Sequence, residues 1–209
     1  NPALVGRAFL QAAFPVPITT WTLQGQGFFA VPPTAFAMPL MKPSVDGVTG
    51  ATPLNLMKFD HQATESLALF LGDTAGSLGE TSGLIILLCG AWLLSKRAYD
   101  WRIPVGLVGT VAAISAVFYV IDPAAYPSPI FMTLSGGLLF GTVFMATDPV
   151  TSPMTPKGAW LFAALVGSLV VLIRLFGGLP EGVMYAILLG NAATPLINRW
   201  VQPRPFGRA

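Results

Sequence analysis

Long apolar runs separated by short polar breaks dominate the second half of the chain. Five stretches, at about 82–96, 103–121, 130–147, 157–176 and 181–198, are nearly free of charge. Each approaches the roughly 20 helical residues needed to cross a bilayer. The first is the shortest, but Leu84-Ile85-Ile86-Leu87-Leu88 and Trp92-Leu93-Leu94 give it the same character. Between the second and third runs lies Asp122-Pro123-Ala124-Ala125-Tyr126-Pro127-Ser128-Pro129, whose prolines forbid a continuous helix. Gly177-Gly178-Leu179-Pro180 predicts a tight turn between the fourth and fifth. Gly137-x-x-x-Gly141 suits close helix packing.

The first 81 residues read differently. Pro2 to Phe14 predicts a short helix, and the start at Asn1-Pro2, with neither Met nor a signal-peptide pattern, reads as a chain that begins partway through a longer protein. Segment 15–60 is rich in Pro, Gly and Thr. Such backbone cannot face lipid, where its polar groups would go unpaired, so it belongs in water or against protein. The expected organisation is therefore a short helix and long loop over 1–81, then a five-helix bundle over 82–209: an all-α polytopic membrane protein.

Composition supports this reading. Of 209 residues, 54% are hydrophobic and 10% charged, and mean hydropathy is +0.69; a soluble domain carries about 25% charged residues. One cysteine and one histidine exclude a disulfide scaffold or a Cys/His-rich metal site built by this chain alone. A net charge of +2 gives no basis for nucleic-acid binding. Lys96, Arg97 and Arg102, Lys157, and Arg199, Arg204 and Arg208 all fall in alternate connections. Positive-inside reasoning puts these in the cytoplasm and the 15–81 loop outside, on the periplasmic or equivalent face.

Candidate chemistry lies in that loop, in Asp46-Gly47-Val48-Thr49-Gly50-Ala51-Thr52-Pro53-Leu54. Thr52-Pro53 is a good helix start, with Thr as N-cap and Pro at the first helical position. Gly50 and Ala51 also leave the Thr52 hydroxyl sterically open, and Asp46 stands where a carboxylate can orient a visiting enzyme or a metal ion. Asp-x-x-Thr-Gly-Ala-Thr resembles the site at which periplasmic flavin transferases join FMN through a phosphodiester to the last Thr. Asn1-Pro2-Ala3-Leu4-Val5-Gly6-Arg7-Ala8-Phe9, Gly76-Ser77-Leu78-Gly79-Glu80-Thr81-Ser82 and Phe144-Met145-Ala146-Thr147-Asp148-Pro149-Val150-Thr151-Ser152-Pro153 resemble further signatures of one family. That RnfD/NqrB family pairs the B component of the sodium-translocating NADH:quinone reductase with the D component of the Rnf ion-translocating electron transport complex. Thr49, Pro53-Leu54 and the short tail look more like the Rnf branch.

The resemblance implies a fold similar to urea transporters, in which five helices form one of two inverted repeats. It implies covalent FMN on Thr52, with Asp46, Thr49, Gly50 and Ala51 as recognition residues for the transferase, and a second, non-covalent flavin such as riboflavin. Partners would be the other subunits of a membrane complex, one of them also flavinylated, with membrane lipid around them. The overall reaction would link ferredoxin and NAD to Na+ or H+ movement. A solute channel without a redox centre is the competing reading from another class, and the 46–52 motif argues against it.

Other residues carry two readings each. Arg7 either holds a flavin phosphate or anchors its helix to lipid phosphate. Asp148, at the end of an apolar run, is either a functional carboxylate beside a second flavin or ion path or the cap of a turn. Asp122 reads as a turn residue ahead of an ion site, Ser82 as an N-cap ahead of an ion-site group, and Cys89 as a small packing residue, a redox role needing a partner from another chain; Arg174 reads as snorkelling to the headgroups. Trp101 and Trp200 sit where interfacial anchors do.

Overall fold

The computed structural model describes residues 1–14, 21–22, 49–50, 52–60, 64–72, 74, 76, 81–123, 125–178 and 181–202. Apart from one antiparallel pairing of β1 (Trp21–Thr22) with β2 (Thr49–Gly50), the elements among these residues are helical. Helix α1 spans Pro2–Ala13 and α2 spans Pro53–Phe59; α3 (Ser66–Leu71) precedes α4 (Gly83–Ser95) and α5 (Arg102–Ile121). Then come α6 (Pro129–Leu134), α7 (Leu138–Phe140), a π-helical turn over Gly141–Met145, α8 (Pro156–Phe176) and α9 (Val183–Trp200).

Local chemistry sets most helix starts. Asn1, Thr52, Ser82, Ser128 and Thr155 each accept a backbone N–H from three residues on. In every case except Ser82 a proline follows at the first helical position, where its missing N–H costs nothing. Asp122 also keeps its predicted turn role, its carboxylate accepting from Ala125 N at 3.3 Å.

The bundle is built on α8. Helix α5 runs parallel to it, and the two approach closely because glycines face them: a Cβ on Gly106 would stand 2.8 Å from that of Ala163, and one on Gly167 2.8 Å from that of Thr110. Small residues let membrane helices pack by van der Waals contact, since lipid supplies no hydrophobic drive between them. Helix α9 runs antiparallel on another face of α8, with Gly190 against Val166 and Phe162 and Gly182 against Ile173. Gly141 meets Val183 and Ile187 of α9, so this glycine of the predicted Gly-x-x-x-Gly pair does serve close packing. Large apolar side chains on α4, α5, α8 and α9 face outward, among them Leu88, Val120, Leu165 and Leu189.

The expected spans are matched in part, and several finer expectations need correction. Among the described residues, two helices, α5 and α8, are long and apolar enough to cross a membrane; α4 is apolar but has 13 residues. The predicted third span is no continuous helix: it stops at Leu134 and restarts at Leu138, with Ser135-Gly136-Gly137 between. Gly136 sits at φ +63°, a left-handed conformation that β-carbons resist, so the chain turns out of the helix there. Helix α9 runs 18 residues with Pro195 inside it. Arg174 does not reach for headgroups; it is 4% exposed because the broken helix offers it carbonyls. Cys89 is exposed on the outer face of α4, where no described residue of this chain packs it in. Part of the 177–180 turn lies outside the described residues.

Candidate functional site

The site is assembled at the end of the bundle where α6 and α9 begin and α5 and α8 finish. The break in the third span leaves backbone groups without helical partners on both sides, and side chains satisfy them. Arg174, in the last turn of α8, donates from Nη1 to Met132 O at 2.6 Å and from Nη2 to Ser135 O at 3.0 Å. A cation at the carboxyl end of α6 meets both orphan carbonyls and the negative end of the helix dipole. On the far side of the break, Gly137 N donates to the carboxylate of Glu181, just before α9. Arg7, half-exposed on α1, stands 4.0 Å from the other oxygen of that carboxylate.

Helix α2 docks against this break. Leu54 is 7% exposed and packs with Leu69 and Phe131. Its Cδ1 stands 2.5 Å from where a β-carbon of Gly136 would be, and Glu181 Oε1 stands 2.7 Å from that point. Lys58, near the other end of α2, donates to Arg174 O at 3.0 Å and also to Gly177 O. Burial at this contact pulls the Lys58 ammonium below its ordinary pKa, because desolvation disfavours the charged form.

Thr52 is half-buried at the head of α2, and its hydroxyl accepts from Asn55 N at 3.3 Å. It lines a pocket with Leu54, Thr81, Gly136 and Glu181 whose cavity is about 30 Å³. That volume suits one or two waters and is too small for a three-ring system. The geometry fits attachment at the hydroxyl, because an ester oxygen still accepts the Asn55 N–H. A ring joined there would lie outside this pocket.

The predicted residues thus divide into groups. Thr52 and Arg7 come to the same region, joined through Glu181. Thr49 and Gly50 form β2, paired with Trp21 and Thr22. Asp46 and Ala51 lie outside the described residues. Asp148 is at the opposite end of the bundle, where its carboxylate accepts from Val150 N at 3.2 Å and Thr151 Oγ1 at 3.1 Å. It also lines a second cavity, of about 430 Å³, shared with Asn1, Tyr99, Phe144, Met145 and Thr147. Asn1 fixes one wall by donating from Nδ2 to Met145 O at 3.1 Å. Tyr99 donates to Gly90 O at 2.8 Å, and burial raises its phenol pKa.

Sequence reasoning missed Lys58, Gly136 and Glu181. A signal for the break was present: Ser-Gly-Gly interrupts an apolar run, and an Arg inside another run requires a partner.

A family model described as the NQR2, RnfD, RnfE family matches residues 1–207. Among similar proteins, the D component of the proton-translocating ferredoxin:NAD(+) oxidoreductase complex of Clostridium ljungdahlii is 42% identical over 99% of this chain and 61% of its own length. The D component of the ion-translocating oxidoreductase complex of Stutzerimonas stutzeri is 42% identical over 100% of this chain and 63% of its own. The corresponding protein of Halorhodospira halophila is 39% identical over 100% of this chain and 62% of its own. The chain therefore spans somewhat under two thirds of the length of these relatives. With the family model covering nearly every residue, the chain belongs to the NQR2, RnfD, RnfE family.

Proposed function

We propose that this chain carries an FMN esterified to Thr52 and relays electrons through it, as part of a membrane oxidoreductase complex that moves Na+ or H+. The observation that carries the reading is the placement of Thr52. Its hydroxyl caps a short helix, the residue as a whole is half-buried, and it follows the Asp46–Ala51 motif that a flavin transferase would recognise. FMN supplies one- and two-electron chemistry when bound. The chain's own part is to hold the phosphoester end at α2, with Arg7 and Glu181 close by. In this reading five segments cross the membrane in a urea-transporter-like repeat, the third as two half-helices. The Thr52 end faces outward, and the end bearing Lys96, Arg97, Arg102, Lys157 and Arg199 faces the cytoplasm. Partners are the other subunits, a second flavinylated one among them; the relatives' names as parts of such complexes support membership of a complex.

The cavity beside Asp148 is the natural place for a second, non-covalent flavin such as riboflavin. Its volume lies within the range of small-molecule pockets, with apolar walls from Leu93, Val143 and Phe144 and polar groups from Asn1, Tyr99 and Asp148.

In-gel flavin fluorescence of the protein from its native host tests the covalent assignment. Wild type is expected to fluoresce. Thr52→Asn, which keeps an N-cap oxygen but offers no hydroxyl to esterify, is expected to be dark at unchanged abundance. Fluorescence persisting in that variant overturns the assignment.

A further inference from the structure

We propose that Lys58 is a positioning residue for the flavin, clamping the helix that carries Thr52 onto the bundle; this rests on the flavin reading of Thr52. Helix α2 has seven residues, too few to persist in isolation, where helices shorter than about 12 residues are marginal. Its buried residues are Pro53 and Leu54, at the Thr52 end. At the other end Met57 packs, half-buried, against the cluster of Leu54, Leu69 and Phe131, and the polar attachment is the Lys58 ammonium, donating to Arg174 O and Gly177 O, 116 and 119 residues away in sequence.

Those carbonyls belong to the last turn of α8 and the residue that follows it, where backbone acceptors have no helical donor. A lysine from a distant element therefore acts as a tertiary C-cap of α8, complementing the negative end of its dipole. The same residue, Arg174, uses its guanidinium to cap α6 at the break. The flavin-bearing helix is thus tied by one residue to the element that holds the two halves of the third span. Leu54 adds an apolar contact at the break itself. Two anchors, one at each end, fix both the position and the direction of α2. Losing Lys58 leaves α2 held by apolar contacts, Leu54 and the half-buried Met57 on the Leu69–Phe131 cluster, so an attached flavin keeps its bond but loses the polar tie that fixes its surroundings.

The test uses the complete complex from its native host, in wild type, Lys58→Met and Lys58→Arg. Three readouts are taken: gel fluorescence of the denatured chain, the midpoint potential of its covalent flavin, and hydrogen exchange of the peptide holding the Leu56 and Asp60 amides. Those amides donate within α2 to Thr52 O and Leu56 O, each at 3.0 Å. The expected result is equal gel fluorescence in all three proteins. In Lys58→Met the potential shifts and these amides exchange about tenfold or more faster, the loss expected for a hydrogen bond from a charged donor. Lys58→Arg restores both. Equal fluorescence with potential and exchange unchanged in Lys58→Met overturns the positioning role and leaves the flavin reading standing. Absence of gel fluorescence in wild type overturns the flavin reading, and this assignment with it.

Discussion

The carbonyl oxygen of Met132 accepts a hydrogen bond of 2.6 Å from the guanidinium of Arg174, 42 residues further along the chain. This contact explains how a helix can stop inside the bundle. Without water to satisfy its last carbonyls, an interrupted membrane helix is tolerated only where protein supplies the missing partners. Arg174 does so for α6, and Glu181 does so for the start of α7.

Replacing Arg174 with Met is therefore expected to destabilise the fold strongly. Two buried carbonyls lose their donor, each at about 1–3 kcal/mol. An arginine that merely snorkelled would cost almost nothing. Thermal denaturation of the purified protein in detergent distinguishes the two, with a large fall in Tm expected.

Gly136→Ala is expected to be costly for a different reason. A left-handed backbone costs a β-carbon about 1–2 kcal/mol, and here the carbon would also crowd Leu54 and Glu181. Gly109 offers the contrast. It lies within α5, and a β-carbon added there would meet nothing within 4 Å, so Gly109→Ala should be neutral or stabilising by about 0.5–1 kcal/mol. A fall in Tm for Gly136→Ala but not Gly109→Ala is the expected outcome.

Asp148→Asn should leave the fold within about 0.5 kcal/mol of wild type, as surface changes usually do, because an amide oxygen still accepts from Val150 N. Non-covalent flavin extracted per complex should nevertheless fall, because the carboxylate lines the cavity at that end. Full retention of that flavin would remove Asp148 from its site.

Cys89 lies on the outward face of α4 beside the exposed Leu88 and Trp92. In detergent the isolated protein is expected to react with a lipid-soluble maleimide. Protection of the same thiol in the assembled complex would identify this face as covered by a neighbouring chain; equal labelling in both would leave it facing lipid.

Features set by neighbours in sequence were readable without a structure. Thr52-Pro53, Ser128-Pro129 and Thr155-Pro156 announce helices because cap and proline act within one turn. Asp122 and Asp148 close turns on residues two and three positions away. Long-range features were not readable in the same way. Ser135-Gly136-Gly137 marks a weak point in the apolar run over 130–147 but does not by itself decide between a break and a glycine-rich helix; Arg174, supplied by another helix, decides it. Arg174 in turn reads as a surface cation until a carbonyl partner is found for it. Lys58 looks like an ordinary loop charge, and only the docking of α2 reveals its acceptors. The open face of Cys89 was missed because hydrophobic stretches facing lipid and facing protein are chemically alike.

The most direct test of covalent electron transfer is tandem mass spectrometry of the proteolytic peptide spanning Asp46 to Lys58, taken from the native complex. One FMN joined through phosphate to Thr52, with Thr49 unmodified, is the predicted result. An unmodified peptide from a host that possesses the flavin transferase, or FMN found on Thr49 instead, would contradict it.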